Sequence, residues 1–197
     1  MKHTTRIDAR TIKTKQRIQE TLHQMIMQYK YGQVTVSELA RQAKINRKTF
    51  YLHYDTIESA FDELATNMAH KIGNLSTSHI ESILRGDYAA FFTAYEKFLS
   101  CDEDFHKRLF CEPSYRSLNQ QIQDRSCEAL LETLKDASPT MSDDAWMKIV
   151  FIAYGVNGIR RRAYMDTGSA PDASSSEFVS KLASACWSVS EDQEVTS

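Results

Sequence analysis

Residues 35–54 read TVSELARQAKINRKTFYLHY, and two helix starts with a short interruption between them fall inside this stretch. Thr35, with Glu38 three positions on, has the capping-box form: the threonine oxygen accepts from a free backbone N–H while the glutamate reaches back to the cap. Leu39, Ala40 and Ala43 follow at helical spacing, the alanines small enough for a second helix to approach, and Lys44-Ile45-Asn46 interrupts the pattern. Asn46 is a good N-cap, so a second helix is expected from Arg47 to Tyr54 with Ile45 and Phe50 pointing inward. Arg47, Lys48, Thr49, Tyr51, His53 and Tyr54 crowd that helix with hydrogen-bond donors. One apolar anchor and many donors suit a helix laid in the major groove of DNA, its first residues at base edges and its flanking groups on phosphate. Any polar surface helix shares one such feature; their combination on a single element points to nucleic acid.

The bulk numbers favour an all-α chain. Its 197 residues can bury a sizeable core and hold one or two small domains, and 42% hydrophobic with 25% charged residues is ordinary for a soluble globular protein. Six glycines and three prolines are too few for a sheet protein full of tight turns. The net charge of -2 conceals a division: residues 1–60 hold 11 Lys and Arg against 5 Asp and Glu, or +6, and the remainder holds 13 against 21, or -8. A basic end on an acidic remainder is expected when one end meets a polyanion. Cys101, Cys111, Cys127 and Cys186 have no CxxC spacing, the N-terminus is polar and basic, and no apolar run reaches about eighteen residues. A cytoplasmic protein with reduced thiols and no membrane segment is therefore expected. Cys101, Asp104, His106 and Cys111 cluster without a zinc-like spacing and read as packing cysteines and a surface histidine, so neither metal nor cofactor is expected.

Outside the opening stretch the chain reads as further helices. Residues 1–11 form a basic arm with Lys2, His3, Arg6 and Arg10, expected to be flexible without DNA. Ile18, Leu22, Met25, Ile26 and Tyr29 make one face of a first helix over Lys13–Tyr31, ended by Gly32, with Arg17 and Lys13 to Lys15 near its start either reaching phosphate or forming a solvated basic turn. After Asp55-Thr56 a fourth helix carries Ile57, Phe61, Leu64, Met68, Ile72 and Leu75 and connects the basic head with the acidic body. Phe91, Phe92, Tyr95 and Phe98, then Phe110 and Cys127 on later helices, compose an aromatic stripe that serves either as core or as the wall of a pocket for a small apolar molecule. The helix from Asp143 to about Met165 holds Gly155 and Gly158, each costing about 1 kcal/mol relative to alanine, which calls for close approach of another helix. Ser174 with Glu177 repeats the capping-box form before a last helix. Ile152, Gly155, Val156 and Ile159 on the first of these two helices, and Phe178, Leu182 and Ala185 on the second, are the expected dimer interface, a two-fold four-helix arrangement. Arg160-Arg161-Arg162 reads as a solvated or interface-rim charge run.

The segment from 12 to 66 resembles the TetR family of transcriptional regulators: Ile18, Leu22 and Ile26, then Gly32, TVSELARQAKIN, TFYLHY, Glu58 and Leu64 are the matching residues. AYGVNGIRRRAYMDTG resembles the penultimate helix and loop of one subgroup. The resemblance implies a flexible arm (1–11), a three-helix DNA-binding domain (12–56), a helical regulatory and dimerisation domain (57–189) and a disordered tail (190–197). It implies a homodimer on a palindromic operator, usually a repressor, that lets go when a small-molecule effector occupies the C-terminal domain. Thr35 and Ser37 would touch phosphate; Asn46 opens the reading helix, and Arg47, Lys48 and Thr49 would face base edges. Tyr51, His53 and Tyr54 would anchor the DNA backbone. Lys44 stands where the family often has glycine, which predicts either backbone strain or a slightly different turn, and Ile57 stands where a phosphate-contacting lysine is common. No nucleophile motif, metal spacing, phosphate loop or paired carboxylates suggest an enzyme. A helical regulator acting through a protein partner is the alternative.

Overall fold

The computed structural model describes residues 9–139 and 144–188, so Lys2, His3, Arg6 and the acidic tail lie outside the described residues. Among the described residues every regular element is helical: α1 Ala9–Gln28, α2 Val36–Gln42, α3 Arg47–Tyr51, α4 Ile57–Ser78, α5 Ile80–Leu84, α6 Ala89–Ser100, α7 Glu103–Cys111, α8 Arg116–Ala137, α9 Ala145–Thr167 and α10 Ala173–Ser188. None of these helices is long and apolar enough to cross a membrane.

Caps set most boundaries. Thr35 Oγ1 accepts the Glu38 N–H at 3.2 Å, Asn46 Oδ1 accepts the Lys48 N–H at 2.9 Å, and Thr56 with Ser59 closes a reciprocal box at the start of α4. Two expected boxes differ. Glu38 does not reach back to Thr35; its carboxylate takes Arg41 and, at 2.7 Å, Gln42, because a charged guanidinium one turn ahead is the stronger partner. Those bonds hold its pKa down at about 2. At α10 the cap is Asp172, whose Oδ1 accepts the Ser175 N–H at 2.8 Å, while Glu177 pairs with Lys181. Asp172 lies two residues before Ser174, immediately ahead of the first helical residue, where a cap must stand, and Ser174 falls inside the helix.

Two clusters share the core. The first joins Ile18, Leu22 and Ile26 of α1, Leu39, Phe50 and Tyr54, and Phe61 and Leu64 of α4 with Phe105 and Leu109 of α7, Tyr115, and Leu118 and Ile122 of α8. Packing is thus continuous across residue 56. The second joins α5, α6, α8, α9 and α10 through Ile83, Phe92, Tyr95, Leu134, Ile149 and Val179. The most extensive helix contact is α4 on α8, where a Cβ on Gly73 would stand 3.4 Å from Ala129 Cβ; the missing side chain lets the backbones close. Arg125 ties the same pair through the Asp62 carbonyl at 2.9 Å and Thr66 Oγ1 at 2.7 Å.

The C-terminal end of α1 is closed from the opposite part of the chain. Arg108 of α7 donates to the Ile26 carbonyl at 2.6 Å and the Tyr29 carbonyl at 2.9 Å, and Tyr115 Oη donates to the Tyr29 carbonyl at 2.9 Å. These carbonyls have no partner within their own helix, so α7 supplies what α1 lacks. His23 of α1 adds a stacked ring on Phe105 at 3.9 Å and a contact to Asp102 at 2.6 Å.

Candidate nucleic-acid interface and the cavity behind it

α2 and α3 meet through a tight reversal. Ala43 ends α2, Lys44 takes φ 52°, its N–H bonds the Arg41 carbonyl at 3.2 Å, and the Ile45 N–H bonds the Ala40 carbonyl at 3.0 Å. This pair of bonds is the Schellman closure that glycine ordinarily makes. Lys44 is the one non-glycine residue with positive φ among the described residues, so the strain expected at this position is present. Reversal and caps leave Phe50 fully buried under α3 and Arg47, Lys48 and Tyr51 exposed above it, with Thr49 and His53 half-buried. Thr35, Ser37 and Asn46 are exposed beside them, and Asn46 keeps its amide donors while its Oδ1 caps α3.

Tyr54 does not join this face. It is 5% exposed, stacked toward Phe50 at 5.4 Å, and its hydroxyl accepts Gln19 Nε2 at 2.9 Å; burial pushes the phenol up to about 12. Its expected contact with the DNA backbone is corrected on that ground: the side chain locks α1 to α3. Lys15 also turns inward, bonding Glu63 at 2.6 Å over the Tyr54 ring. The cations that do line a groove beside α3 are Arg10, Lys13 and Arg17 of α1 and Lys44 of the turn, with Thr14, Asn46 and Thr49 along it. Sequence reading had valued Lys44 only for its strain. Leu52, just past α3 and 79% exposed, was passed over as well; its place outside the Phe50 and Tyr54 register was the available signal.

Behind the head, α4 to α9 enclose a cavity of about 90 Å³. Phe91, Phe92, Tyr95, Phe110 and Cys127 line it, together with Met68 and Ile72 of α4 and Leu109 of α7. Phe98 does not: it faces the other side of α6, against His106 at 5.3 Å and a surface groove shared with α1. Ile152 and Val156 line the cavity too, so these two side chains of the expected dimer interface point inward. The outer face of α9 and α10 holds the rest. Gly155 and Ala185 are exposed there with Ile159, Phe178 and Leu182, and with Met147 and Phe151, which sequence reading did not include. Phe151 is 66% exposed and Phe178 60%. Among the described residues nothing outside their own helix backbone lies within 4 Å of a Cβ built on Gly155 or Gly158, so the close approach expected of them is not made by those residues.

Two charged or titratable groups were misplaced by sequence reading. Arg160 is 1% exposed, not solvated: it pairs with Glu96 of α6, donates to Tyr164 Oη at 3.3 Å, and lies over that ring. His106 is buried, with Nδ1 at 2.9 Å from the Leu99 carbonyl, and burial lowers its pKa. All four cysteines are free thiols, and no group of three His, Cys, Asp or Glu is placed to hold a metal among the described residues.

Comparison with solved structures finds the same helical fold in two transcriptional regulators. A TetR-family transcriptional regulator from Mesorhizobium loti superposes with a TM-score of 0.56 at 13% identity, covering 92% of this chain and 96% of its own. The dihydroxyacetone kinase operon activator DhaS superposes with a TM-score of 0.53 at 16% identity, covering 90% and 94%. By sequence, no family model and no curated protein matches the chain.

Proposed function

We propose that this protein is a DNA-binding transcriptional regulator, a homodimeric repressor that a small-molecule effector releases from a palindromic operator. The observation that carries the reading is α3: it is held from below by Phe50 and capped by Asn46, so that Arg47 and Lys48 stand exposed beside a groove lined by four cations. Arg47, Lys48 and Thr49 read base edges, while Thr35, Ser37, Tyr51 and His53 meet phosphate and sugar. The apolar outer face of α9 and α10 is larger than a scattering of single surface apolar residues and supports a second copy packed about a two-fold axis. Such a dimer must hold its two α3 helices about 34–36 Å apart to enter successive major grooves. α4 lines the cavity with Met68 and Ile72 and carries the head at its other end, and α7 lines it with Leu109 while Arg108 holds α1. An occupant that shifts either helix alters head spacing without touching the DNA face.

Selection of duplexes from a random pool, followed by a salt-titrated shift assay, tests the reading. A two-fold symmetric selected site and an affinity that falls steeply with salt support it; no selected site and no binding at low salt refute it and leave the alternative of a protein partner. A reporter behind the selected site, read with and without the protein, gives the sign of regulation, which matters because one structural neighbour is named an activator.

A further inference from the structure

Three features of the cavity narrow what fits it. First, among the described residues no Asp, Glu, Lys or Arg lines it, and the one imidazole that does, His106, is held toward its neutral form by burial. A carboxylate or ammonium entering would lose its water and find no counter-ion, the costliest form of burial. Second, its walls are ring-rich: Phe91 stacks on Tyr95 with an interplanar angle of 10° and meets Phe92 at 5.4 Å. Flat rings pack best against such surfaces.

Third, its hydroxyls are committed with one exception. Tyr95 Oη donates to Asn157 Oδ1 at 3.1 Å, Ser76 Oγ to the Ile72 carbonyl at 3.1 Å, and Ser126 Oγ to the Ile122 carbonyl at 2.6 Å. Tyr88 is 3% exposed and lines the same cavity, and its hydroxyl meets no hydrogen-bond partner among the described residues. Buried polar groups are nearly always paired, so an orphaned phenol on a residue that lines a cavity marks where an acceptor would be received. Burial also raises the phenol pKa, which keeps it a donor. Asn119, Gln123 and Asn157 border both the cavity and the adjoining open groove between α7, α8 and α9, which places the mouth; Tyr88 does not border that groove.

We infer that the cavity takes an uncharged, flat, largely hydrocarbon molecule carrying a carbonyl oxygen, entered carbonyl-first past Asn119 and Gln123 and held at its inner end by a hydrogen bond from Tyr88. This assignment rests on the ligand-controlled reading above and gives that ligand its chemistry.

Titration calorimetry of the full chain with the single-ring probes acetophenone, ethylbenzene and benzoate tests it. The ketone binds about five- to tenfold tighter than the hydrocarbon, the size of one neutral hydrogen bond, and the carboxylate binds weaker than either. In Tyr88→Phe the ketone and the hydrocarbon bind alike, and the variant melts no lower than the parent because the lost hydroxyl had no partner. The inference is overturned if the carboxylate matches the ketone, if the ketone keeps its advantage in Tyr88→Phe, if that variant is destabilised, or if none of the three binds the folded protein. Ketone binding through Tyr88 with DNA affinity unchanged supports the ligand assignment and refutes ligand control; release from DNA by the carboxylate alone refutes the assignment and supports control.

Discussion

Replacing Lys44 by glycine separates two roles of one residue. Its backbone sits at φ 52°, where a Cβ crowds the following carbonyl at a cost of about 1–2 kcal/mol. Glycine removes that conflict but loosens the unfolded chain, returning about 0.4–1 kcal/mol. The difference leaves Lys44→Gly more stable by about 0.5–1 kcal/mol, a rise in melting temperature of about 1–4 °C for a chain of 197 residues. Lys44→Ala keeps the Cβ and loses the outer methylenes and the ammonium of an exposed side chain, so its stability stays within about 0.5 kcal/mol of the parent. DNA affinity behaves differently. Both variants lose one cation from the groove that Arg10, Lys13 and Arg17 share, so both weaken equally and lower the salt slope by about one. Urea unfolding at constant m-value gives the first quantity and a salt-titrated shift assay the second. The reasoning fails if alanine stabilises as much as glycine, since strain is then not the cause, or if the glycine variant unfolds at lower urea.

Further expectations concern the face, the core and the outer surface. Arg47→Ala with Lys48→Ala abolishes discrimination between the selected operator and random duplex, each lost base contact being worth about 1–3 kcal/mol, whereas Tyr51→Phe weakens both duplexes together; competition shift assays separate the two patterns. Glu96→Ala leaves the Arg160 charge buried without its partner and costs about 3 kcal/mol, the low end for a buried pair because Glu96 is partly exposed; adding Arg160→Met recovers most of it in denaturant unfolding. His106 has a folded pKa below its unfolded value of about 6.5, so the unfolded chain takes up the proton first as pH falls. Its contribution to stability is complete above about pH 6.5 and declines as pH drops toward the folded pKa, and His106→Asn flattens that decline in thermal melts between pH 7 and 5. Phe151→Ser with Phe178→Ser converts the sedimenting species to a monomer; an unchanged dimer would remove the outer face of α9 and α10 from the interface.

The parts of this molecule that were legible in the sequence are those decided within a few residues. Thr35 and Asn46 cap their helices through bonds that span two or three positions, and the strain at Lys44 follows from one backbone angle at one turn. The stripe of Ile18, Leu22 and Ile26 needed only helical spacing to be placed inside. What stayed hidden depended on partners far along the chain. Tyr54 carries a polar tip like Tyr51, and the partner that donates to its hydroxyl inside the protein, Gln19, lies 35 residues away. Arg160 reads as solvated until Glu96 is brought beside it by α6. α9 is apolar on nearly every side, so spacing alone did not distinguish the side chains that line the cavity, Ile152 and Val156, from those that face outward, Phe151 and Ile159.

The closure of α1 by Arg108 and Tyr115 bears on how this head can be reused. A chimera that grafts residues 9–56 onto another body leaves the Ile26 and Tyr29 carbonyls facing whatever that body happens to present. The basic head of this chain is therefore not a detachable cartridge. A working transplant must carry α7 and the turn at Tyr115 with it, or choose a recipient that already offers an arginine and a phenol at those two points.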